Sequence, residues 1–305
     1  MTVEIRTQVH LEPSVVTKVK QLINVATTHD DLAPLSEHVL IHLHHGGDEA
    51  DEHTLAWLNY ELVGYLHLDQ TDRVAGPVVE LVVHPDFRRK GIGSALISEA
   101  RSRAKESRLR LWAHGELDSA YQLAASLGFA KSRELWQMRR SLLAPIPKFV
   151  GVNDVVIRPF VPGQDEDAWI AVNAQVFEDH PEQGQLTRAD LDIRMSEAWF
   201  DPLGFLLAEQ RGEIIGFHWT KIHGGQTSSH GHPEMGEVYA LGVRPPARKS
   251  GLGRLLTIRG LEYLRDKELS AAMLYVDADN VAARKMYETL GFSHWDTDVM
   301  FTSNH

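Results

Sequence analysis

Two short arginine–glycine loops have the residue types and the spacing to bind a phosphate group. One runs from Arg88 to Gly93 and the other from Arg248 to Gly253, and both have the pattern Arg-x-x-Gly-x-Gly. Each follows a short apolar run and opens a helical pattern, an order that presents backbone N–H groups and a helix N-terminus to a pyrophosphate. A single glycine turn before a helix is often only structural. Two copies in equivalent contexts favour binding.

The glycine spacing separates these loops from two other phosphate-binding motifs. The residues after Gly253 are Arg254, Leu255 and Leu256, so the third glycine of a dinucleotide-binding fingerprint is missing. The Gly-Lys-Ser/Thr ending of a P-loop is missing as well. What remains is an arginine–glycine loop between a strand and a long helix.

The loops belong to an internal repeat. Three further landmarks of the first half recur in the same order in the second: residues 5–6 at 157–158, Gly64 at Gly216, and residues 127–129 at 290–292. Four landmarks in one order predict two domains of the same fold. Pro145 and Pro147 mark the break between them. We therefore predict a first domain at 1–143, a linker at 144–152 and a second domain at 153–305.

Each half is predicted to begin with meandering strands and then to alternate strands with helices. Predicted strands lie at 3–7, 54–60, 62–69, 78–84, 108–113 and 133–140, and in the second half at 155–160, 204–210, 213–222, 236–243, 271–277 and 293–301. Predicted helices lie at 13–28, 117–127, 165–178 and 280–290, with one more after each glycine loop. This pattern predicts an α/β (α+β) fold, with a mixed sheet in each half and helices on both of its faces.

The composition excludes several classes of protein. The chain has 305 residues, with 31 basic against 42 acidic side chains and a net charge of −11, which leaves no broad basic surface for nucleic acid. It has no cysteine, so disulfides and thiolate sites are excluded. No run approaches the length of a membrane span, and the N-terminus has no apolar signal core. We expect a cytoplasmic monomer that binds neither nucleic acid nor membranes.

Two groups of histidines raise the question of a metal site. The first group is His42, His44 and His45, and the second is His218, His223, His230 and His232. Neither group has an acidic or histidine partner at a recognised zinc spacing. We therefore expect no metal.

With its two loops and its Leu-Gly-Phe helix ends, the chain resembles the GNAT superfamily of acetyltransferases over nearly all of both halves. The resemblance implies two tandem GNAT domains, each with a splayed central sheet, and acetyl-CoA as co-substrate. In that family the splayed strand pairs with the pantetheine arm, and the loop amides hold the pyrophosphate. The residues implied to bind acetyl-CoA are Leu81, Val82, Val83, Arg88, Arg89, Lys90, Gly91, Ile92 and Gly93 in the first half, and Leu241, Gly242, Val243, Arg248, Lys249, Ser250, Gly251, Leu252, Gly253, Arg254, Asn280, Val281, Ala282, Ala283, Arg284 and Lys285 in the second.

The two halves diverge at the positions that the resemblance assigns to chemistry. Tyr287 lies seven residues after Asn280, a predicted helix N-cap, and beside the presumed thioester sulfur a phenol can protonate the departing thiolate. The matching residues of the first half are Ala124 and Leu117, while Tyr121 lies one helical turn before Ala124. We therefore predict that the first domain binds cofactor or is structural, and that it is not a second catalyst.

Glu237 is the candidate for the general base that an amine acceptor requires. An ammonium cannot attack a thioester, and Glu237 lies on the strand before the second loop, where the first half has Pro77. The carboxylate could instead be a solvated group at a strand end. Its occurrence with Asn280 and Tyr287 in one half favours catalysis. We expect direct attack by the amine, because no cysteine offers a covalent route.

Further stretches of the second half are similar to the mycothiol synthases, a group within that superfamily. These stretches are residues 176–177, 180–184, 236–239, 274–276 and 280–283. The resemblance implies acetyl transfer from acetyl-CoA to the cysteinyl amine of a cysteine–glucosamine–inositol pseudo-disaccharide, the last step of mycothiol biosynthesis. It implies a substrate between the domains, in contact with Glu37, Asp179, Lys221, Glu237 and Tyr275. The alternatives are a tandem GNAT enzyme for another primary amine, such as an antibiotic or a peptide N-terminus, and a non-catalytic coenzyme A-binding module.

Overall fold

A computed structural model describes residues 3–47, 50–72, 75–104, 108–149, 151–178, 181–224 and 234–303. The chain packs into two compact units. Unit one comprises Met1–Leu135 together with Asp296–His305, and unit two comprises Trp136–Trp295. Among the described residues, no helix is both long enough and apolar enough to cross a membrane.

Unit one is built on a mixed sheet. Its strands are β1 (Glu4–Gln8), β2 (Asp51–Leu58), β3 (Glu61–Asp69), β4 (Val78–Val83) and β5 (Arg110–Ala113), and its helices are α1 (Pro13–Asp30), α2 (Glu37–His45), α3 (Ile92–Arg103) and α4 (Asp118–Ser126). Strands β1 to β4 are antiparallel neighbours in chain order, and β5 pairs with β4 in parallel. The chain leaves the unit within β6 (Phe129–Ser141).

Unit two repeats this order. Its strands are β7 (Val156–Pro159), β8 (Phe205–Gln210), β9 (Glu213–His223), β10 (Met235–Val243) and β11 (Ala271–Asp277), and its helices are α5 (Glu166–Val176), α6 (Pro181–Gly184), α7 (Arg188–Ser196), α8 (Leu252–Asp266) and α9 (Val281–Thr289). Strands β7 to β10 are antiparallel neighbours, and β11 pairs with β10 in parallel. The last strand is β12 (Ser293–Ser303).

The last strand of each half crosses the boundary between the units. β12 begins in unit two, and its end pairs with β5 of unit one, where Val299 lies opposite Ala113. β6 begins in unit one, and from Trp136 onward it belongs to unit two, beside β11. The two compact units therefore do not coincide with domains divided at residues 144–152, because that division keeps each final strand in its own half. Strand composition shows that a segment can pair, but it does not specify the partner strand.

Helices cover both faces of each sheet. In unit one, α3 packs over Leu66, while α1 and α2 pack over its neighbour Tyr65, whose side chain points to the opposite face. In unit two, α8 buries Leu261 on one face, and α5 buries Trp169 on the other. Each such side chain, once fully buried, stabilises the fold by about 1.5–3 kcal/mol. The predicted mixed α/β fold with helices on both faces is confirmed.

Candidate active site

The two glycine loops have the same backbone conformation. Arg89 and Lys249 have φ angles of 62° and 63°, and Gly91 and Gly251 have φ angles of 82° and 88°. Glycine suits the latter position, because a side chain is strained at a positive φ. Each glycine is the N-cap of the following helix, α3 or α8. Since the first amides of a helix have no partner within it, both loops offer N–H groups to an anion.

The first arginine of each loop holds the loop in place. Arg88 forms a two-bond ion pair with Asp30, at N···O distances of 2.8 and 2.6 Å. Arg248 donates to the carbonyl oxygens of Val243 and Val176, at 3.3 and 3.1 Å. Because these guanidinium groups have protein partners, the backbone amides and the neighbouring cations are the groups that remain available to an anion.

The remaining predicted loop residues divide into cations and buried anchors. Arg89, Lys90 and Lys249 are exposed, as is Ser250, and Arg254 is half-buried. Ile92 and Leu252 are buried in the apolar core at the first position of α3 and α8, and Gly93 and Gly253 follow them. Cations beside the amides of a helix N-terminus suit a pyrophosphate.

The strand before each loop separates from its parallel neighbour. Among the described residues, β10 pairs with β11 only from Gly236 to Val238, and β4 pairs with β5 only at Val78 and Val79. Leu81–Val83 and Leu241–Val243 lie beyond these paired segments. Both units therefore open a gap where the resemblance expects the pantetheine arm.

A β-bulge distinguishes β10 from β4. Tyr239 is an extra residue in β10, between the residues that lie opposite Thr220 and Trp219 of β9. The register of β4 against β3 is continuous from Val78 to Val83. A bulge changes the direction of the side chains around it and is common beside active sites.

Helix α9 begins at the predicted cap. The side-chain oxygen of Asn280 accepts a hydrogen bond from the amide of Ala283 at 3.1 Å. Val281, Ala282 and Lys285 are exposed around the start of the helix, and the guanidinium of Arg284 lies 3.8 Å from the centroid of the Trp136 ring. In unit one the matching helix α4 has Leu117 at its N-cap, with no side-chain capping bond.

Tyr287 is buried on α9. Its ring is 7% exposed and belongs to an apolar cluster that includes Val238 of β10 and Phe292. Burial raises the pKa of its phenol well above the ordinary value, so the group stays protonated. Its hydroxyl forms no hydrogen bond with a described residue. The aligned Ala124 of α4 is fully buried and has no group to donate.

Glu237 is a buried carboxylate between two basic side chains. It is 6% exposed, lies opposite Lys221 of β9, and its Oε2 is hydrogen-bonded to Nε2 of His223. Burial alone would raise the pKa of Glu237, but the charge and hydrogen bond of His223, together with the charge of Lys221, lower it below the ordinary value. Glu237 is therefore ionised at neutral pH, and it is not a solvated strand-end group.

Three predicted substrate residues share one face of the unit-two sheet. Lys221 faces Glu237 in the ladder, and Tyr275 lies two residues after Met273, the partner of Glu237 on β11. The ammonium of Lys221 lies 4.7 Å from the centroid of the Trp199 ring. Tyr275 is 39% exposed, and its hydroxyl accepts a hydrogen bond from Gln137 at 2.9 Å.

The other two predicted substrate residues are placed differently. Glu37 is the first residue of α2 in unit one and is half-buried. Asp179 lies outside the described residues.

His223 was not predicted as a partner of Glu237. From the sequence, His223 was considered only as a metal ligand, although strand alternation places it on the same face as Lys221, two residues earlier. His218, from the same group, is fully buried and its Nδ1 donates to the carbonyl of Leu256 at 2.8 Å. It is a core residue, and His230 and His232 lie outside the described residues.

Comparisons with known proteins found matches to each half and to the whole chain. The model of the acetyltransferase (GNAT) family matches residues 18–129 and 172–292. The chain is 54% identical to the mycothiol acetyltransferase of Acidothermus cellulolyticus, over 95% of this chain and 92% of that protein. It is 45% identical to the mycothiol acetyltransferase of Streptosporangium roseum, over 95% and 96% of the two chains.

Solved structures show the same fold. A tandem GNAT protein from the clavulanic acid biosynthesis pathway superposes with a TM-score of 0.73 at 20% identity, over 99% of this chain and 98% of that one. A GCN5-related N-acetyltransferase from Sphaerobacter thermophilus superposes with a TM-score of 0.70 at 23% identity, over 98% and 95%.

Proposed function

Because this chain belongs to the mycothiol acetyltransferases, within the acetyltransferase (GNAT) family, we propose that it acetylates the cysteinyl amine of a cysteine–glucosamine–inositol pseudo-disaccharide. Acetyl-CoA is the donor in this proposal. The observation that carries it is the position of Glu237, a buried and ionised carboxylate beside the gap between β10 and β11. We further propose that the enzyme is a cytoplasmic monomer and that the transfer involves no nucleic acid, membrane or metal.

The unit-two loop and strand suit acetyl-CoA. The amides at the start of α8 and the exposed Lys249 would hold the pyrophosphate, and Leu241–Val243 would pair with the pantetheine arm in the gap. The start of α9, from Asn280 to Lys285, would border the same arm. The first unit keeps a loop of the same conformation, so we assign it cofactor binding without chemistry.

The amine is activated at the carboxylate. An α-amino group with a pKa near 7.7–8.0 needs only about 1 kcal/mol to become neutral at pH 7. The ionised Glu237 attracts the ammonium and receives its proton, and His223, bonded to Oε2 and 37% exposed, can pass that proton toward solvent. The amine nitrogen then attacks the thioester carbon directly, so the new N–C bond forms as the C–S bond breaks.

The leaving group departs on the other side of β10. Glu237 and Val238 are consecutive strand residues, so their side chains point to opposite faces, and Tyr287 packs in the cluster of Val238. The pairing of β10 with β11 ends after Val238, and in this proposal the thioester reaches both faces through the separation that follows. A thioester in that gap would meet the amine from the side of Glu237, while its sulfur takes a proton from the phenol of Tyr287. The attacking nitrogen loses its second proton as the amide forms, and an equivalent proton returns to the phenol, so the enzyme is restored and one net proton is released.

The test of the proposed base is a pair of isosteric substitutions. Glu237→Gln should lower kcat by about 10²–10⁴, the usual contribution of a general acid or base, and leave acetyl-CoA binding within twofold. Glu234→Gln makes the same change at an exposed position three residues earlier and should turn over normally. Turnover of Glu237→Gln within threefold of the wild type would exclude Glu237 as the base, whereas no turnover by the wild type with any amine would favour the coenzyme A-binding module.

The acceptor is tested separately with the wild-type enzyme. We expect the cysteinyl pseudo-disaccharide to have the highest kcat/KM in a panel that includes an aminoglycoside and a peptide N-terminus. A higher value for either of the other amines would move the proposal to another primary amine while leaving Glu237 as the base. Detection of an acetylated protein in a single turnover would contradict direct attack.

A further inference from the structure

Helix α2 of unit one covers a set of histidine and aspartate side chains that the proposed acetyl transfer does not use. His38 and His42 are four residues apart and therefore lie on one face of α2. Asp51 of β2 and His67 of β3 point toward that helix from the sheet, because they lie on the face that carries Tyr65. We call His42, Asp51 and His67 the α2 cluster.

The ligand atoms of the α2 cluster converge. One nitrogen of each histidine and one carboxylate oxygen of Asp51 all lie within 4.8 Å of one another. Nδ1 of His42 is 2.6 Å from the Asp51 carboxylate, and Nε2 of His67 is 3.7 Å from its other oxygen. Asp51 and His67 are 0% and 2% exposed, whereas the side chain of His42 is 13% exposed. The cluster is thus buried, with one ligand at its edge.

His67 has a buried nitrogen that the protein does not satisfy. Its Nε2 is shielded from solvent and has no hydrogen-bond partner among the described residues. The 3.7 Å separation from Asp51 is too long for a hydrogen bond. A buried polar atom without a partner is destabilising, so the position favours a ligand that could use it.

We propose that the α2 cluster binds one divalent transition-metal ion, of which zinc is the best match to two imidazoles and a carboxylate. Ligand atoms 2.0–2.2 Å from a tetrahedral zinc are about 3.3–3.6 Å apart, close to the separation of His67 and Asp51. Nδ1 of His42, now 2.6 Å from the Asp51 carboxylate, would have to move away by about 0.7–1.0 Å to reach the same distance. The ion uses the unpaired nitrogen of His67, neutralises the buried Asp51, and leaves a fourth position for water.

Further features of the cluster agree with a metal. His42, Asp51 and His67 come from three different elements, α2, β2 and β3. The ion would join α2 to the β2–β3 ladder. No metal was expected from the sequence, because His42 has no partner at a zinc spacing. Asp51 and His67 lie far from His42 along the chain and approach it only once β2 and β3 have paired.

The test is metal analysis of the full-length protein and of matched histidine variants. After dialysis with zinc and removal of free metal, the wild type should hold one zinc per chain by plasma mass spectrometry. His42→Gln should reduce this to below about 0.2 and weaken zinc binding at least tenfold in a chelator competition. His29→Gln, an exposed position in unit one, and His44→Gln, an exposed position on α2, should both keep one equivalent.

A second readout separates metal loss from misfolding. Cobalt should give a d–d absorption band of a nitrogen- and oxygen-ligated site in the wild type and not in His42→Gln, while the two variants have the same far-ultraviolet circular dichroism. Zinc should raise the Tm of the wild type and leave that of His42→Gln unchanged. Less than 0.2 equivalents of zinc in the saturated wild type, or equal zinc in His42→Gln and the wild type, would overturn the site. Acetyl transfer is not measured, so failure here leaves the proposed function intact.

Discussion

Two buried carboxylates, Glu80 of β4 and Glu237 of β10, show how the two units use the same strand differently. They are 5% and 6% exposed. Both oxygens of Glu80 are occupied, by the amide and hydroxyl of Ser36 at 2.6 and 2.7 Å and by His114 at 3.0 Å. Of the described residues, only His223 is hydrogen-bonded to Glu237, through Oε2. Unit one uses its carboxylate to hold its own chain, whereas Oε1 of Glu237 has no hydrogen bond to a described residue, which supports the proposal that it receives a ligand.

Other features of the two units are shared or different in the same way. The loops share their backbone angles and both strands splay, so the features that suit coenzyme A occur twice. The bulge at Tyr239, the carboxylate of Glu237 and the phenol of Tyr287 occur in unit two, where unit one has a regular strand, Pro77 and Ala124. This division supports the proposal that both units can bind coenzyme A and that the chemistry takes place in unit two.

The largest difference between the units is expected when one phenol is removed from each of them. Tyr287→Phe should lower kcat about 100-fold, because the departing thiolate loses its proton donor while the buried ring remains. Tyr121→Phe makes the same change on α4, where the ring contacts Phe301, and should leave kcat unchanged. Steady-state kinetics of both variants measure these two values of kcat. Equal losses in the two would show that unit one contributes to the chemistry.

A smaller effect is expected from the loop glycines. Gly251→Ala places a side chain at a φ of 88°, a strain of about 1–2 kcal/mol, and should raise the KM for acetyl-CoA about tenfold. Gly91→Ala has similar strain at 82° and should leave that KM within twofold, since we propose that turnover occurs in unit two. Because a Cβ at Gly251 would also lie 2.8 Å from the Phe149 ring, the double variant with Phe149→Ala is the matched control. A tenfold rise in Gly91→Ala would make the first loop essential to turnover.

Much of this arrangement could be predicted from local patterns. The glycine loops, the Asn280 cap and the alternation of strands depend on residues close together in the chain, and these features are where the sequence predicts them. Helices α2 and α7 were not predicted. The short α2 has histidines on its covered face, and the nine-residue α7 has few buried positions, so neither has a clear apolar period.

The parts that could not be predicted depend on strand pairing. The exchange of the last strands, the bond of His223 to Glu237 and the meeting of His42 with Asp51 each join residues whose neighbours are set by register. One-residue changes of register move a side chain to the other face, and no local pattern specifies that choice. Glu237 and Tyr287 were predicted from the sequence, but the face of the sheet on which each one lies was not.

The smallest effect on turnover is expected from Glu80→Gln, although it should have a clear effect on stability. His114 lies between Glu80 and Asp298, and this pair of carboxylates raises its pKa to about 10 against the effect of burial. Breaking a buried pair costs about 3–5 kcal/mol, so unit one should unfold at a lower urea concentration while kcat stays within twofold.

The loss of stability should also depend on pH. Burial alone would raise the pKa of Glu80, but the charge and hydrogen bond of His114 and the hydrogen bonds of Ser36 hold it at about 2, below its ordinary 4.5. A lowered pKa stabilises the fold above pH 4.5 and ceases to do so as the pH falls through 2. The difference between wild type and variant should thus be full at pH 7 and shrink toward pH 3, in urea titrations with hydrogen exchange to assign the unit. A difference that is constant with pH would mean that Glu80 acts through packing and not through its charge.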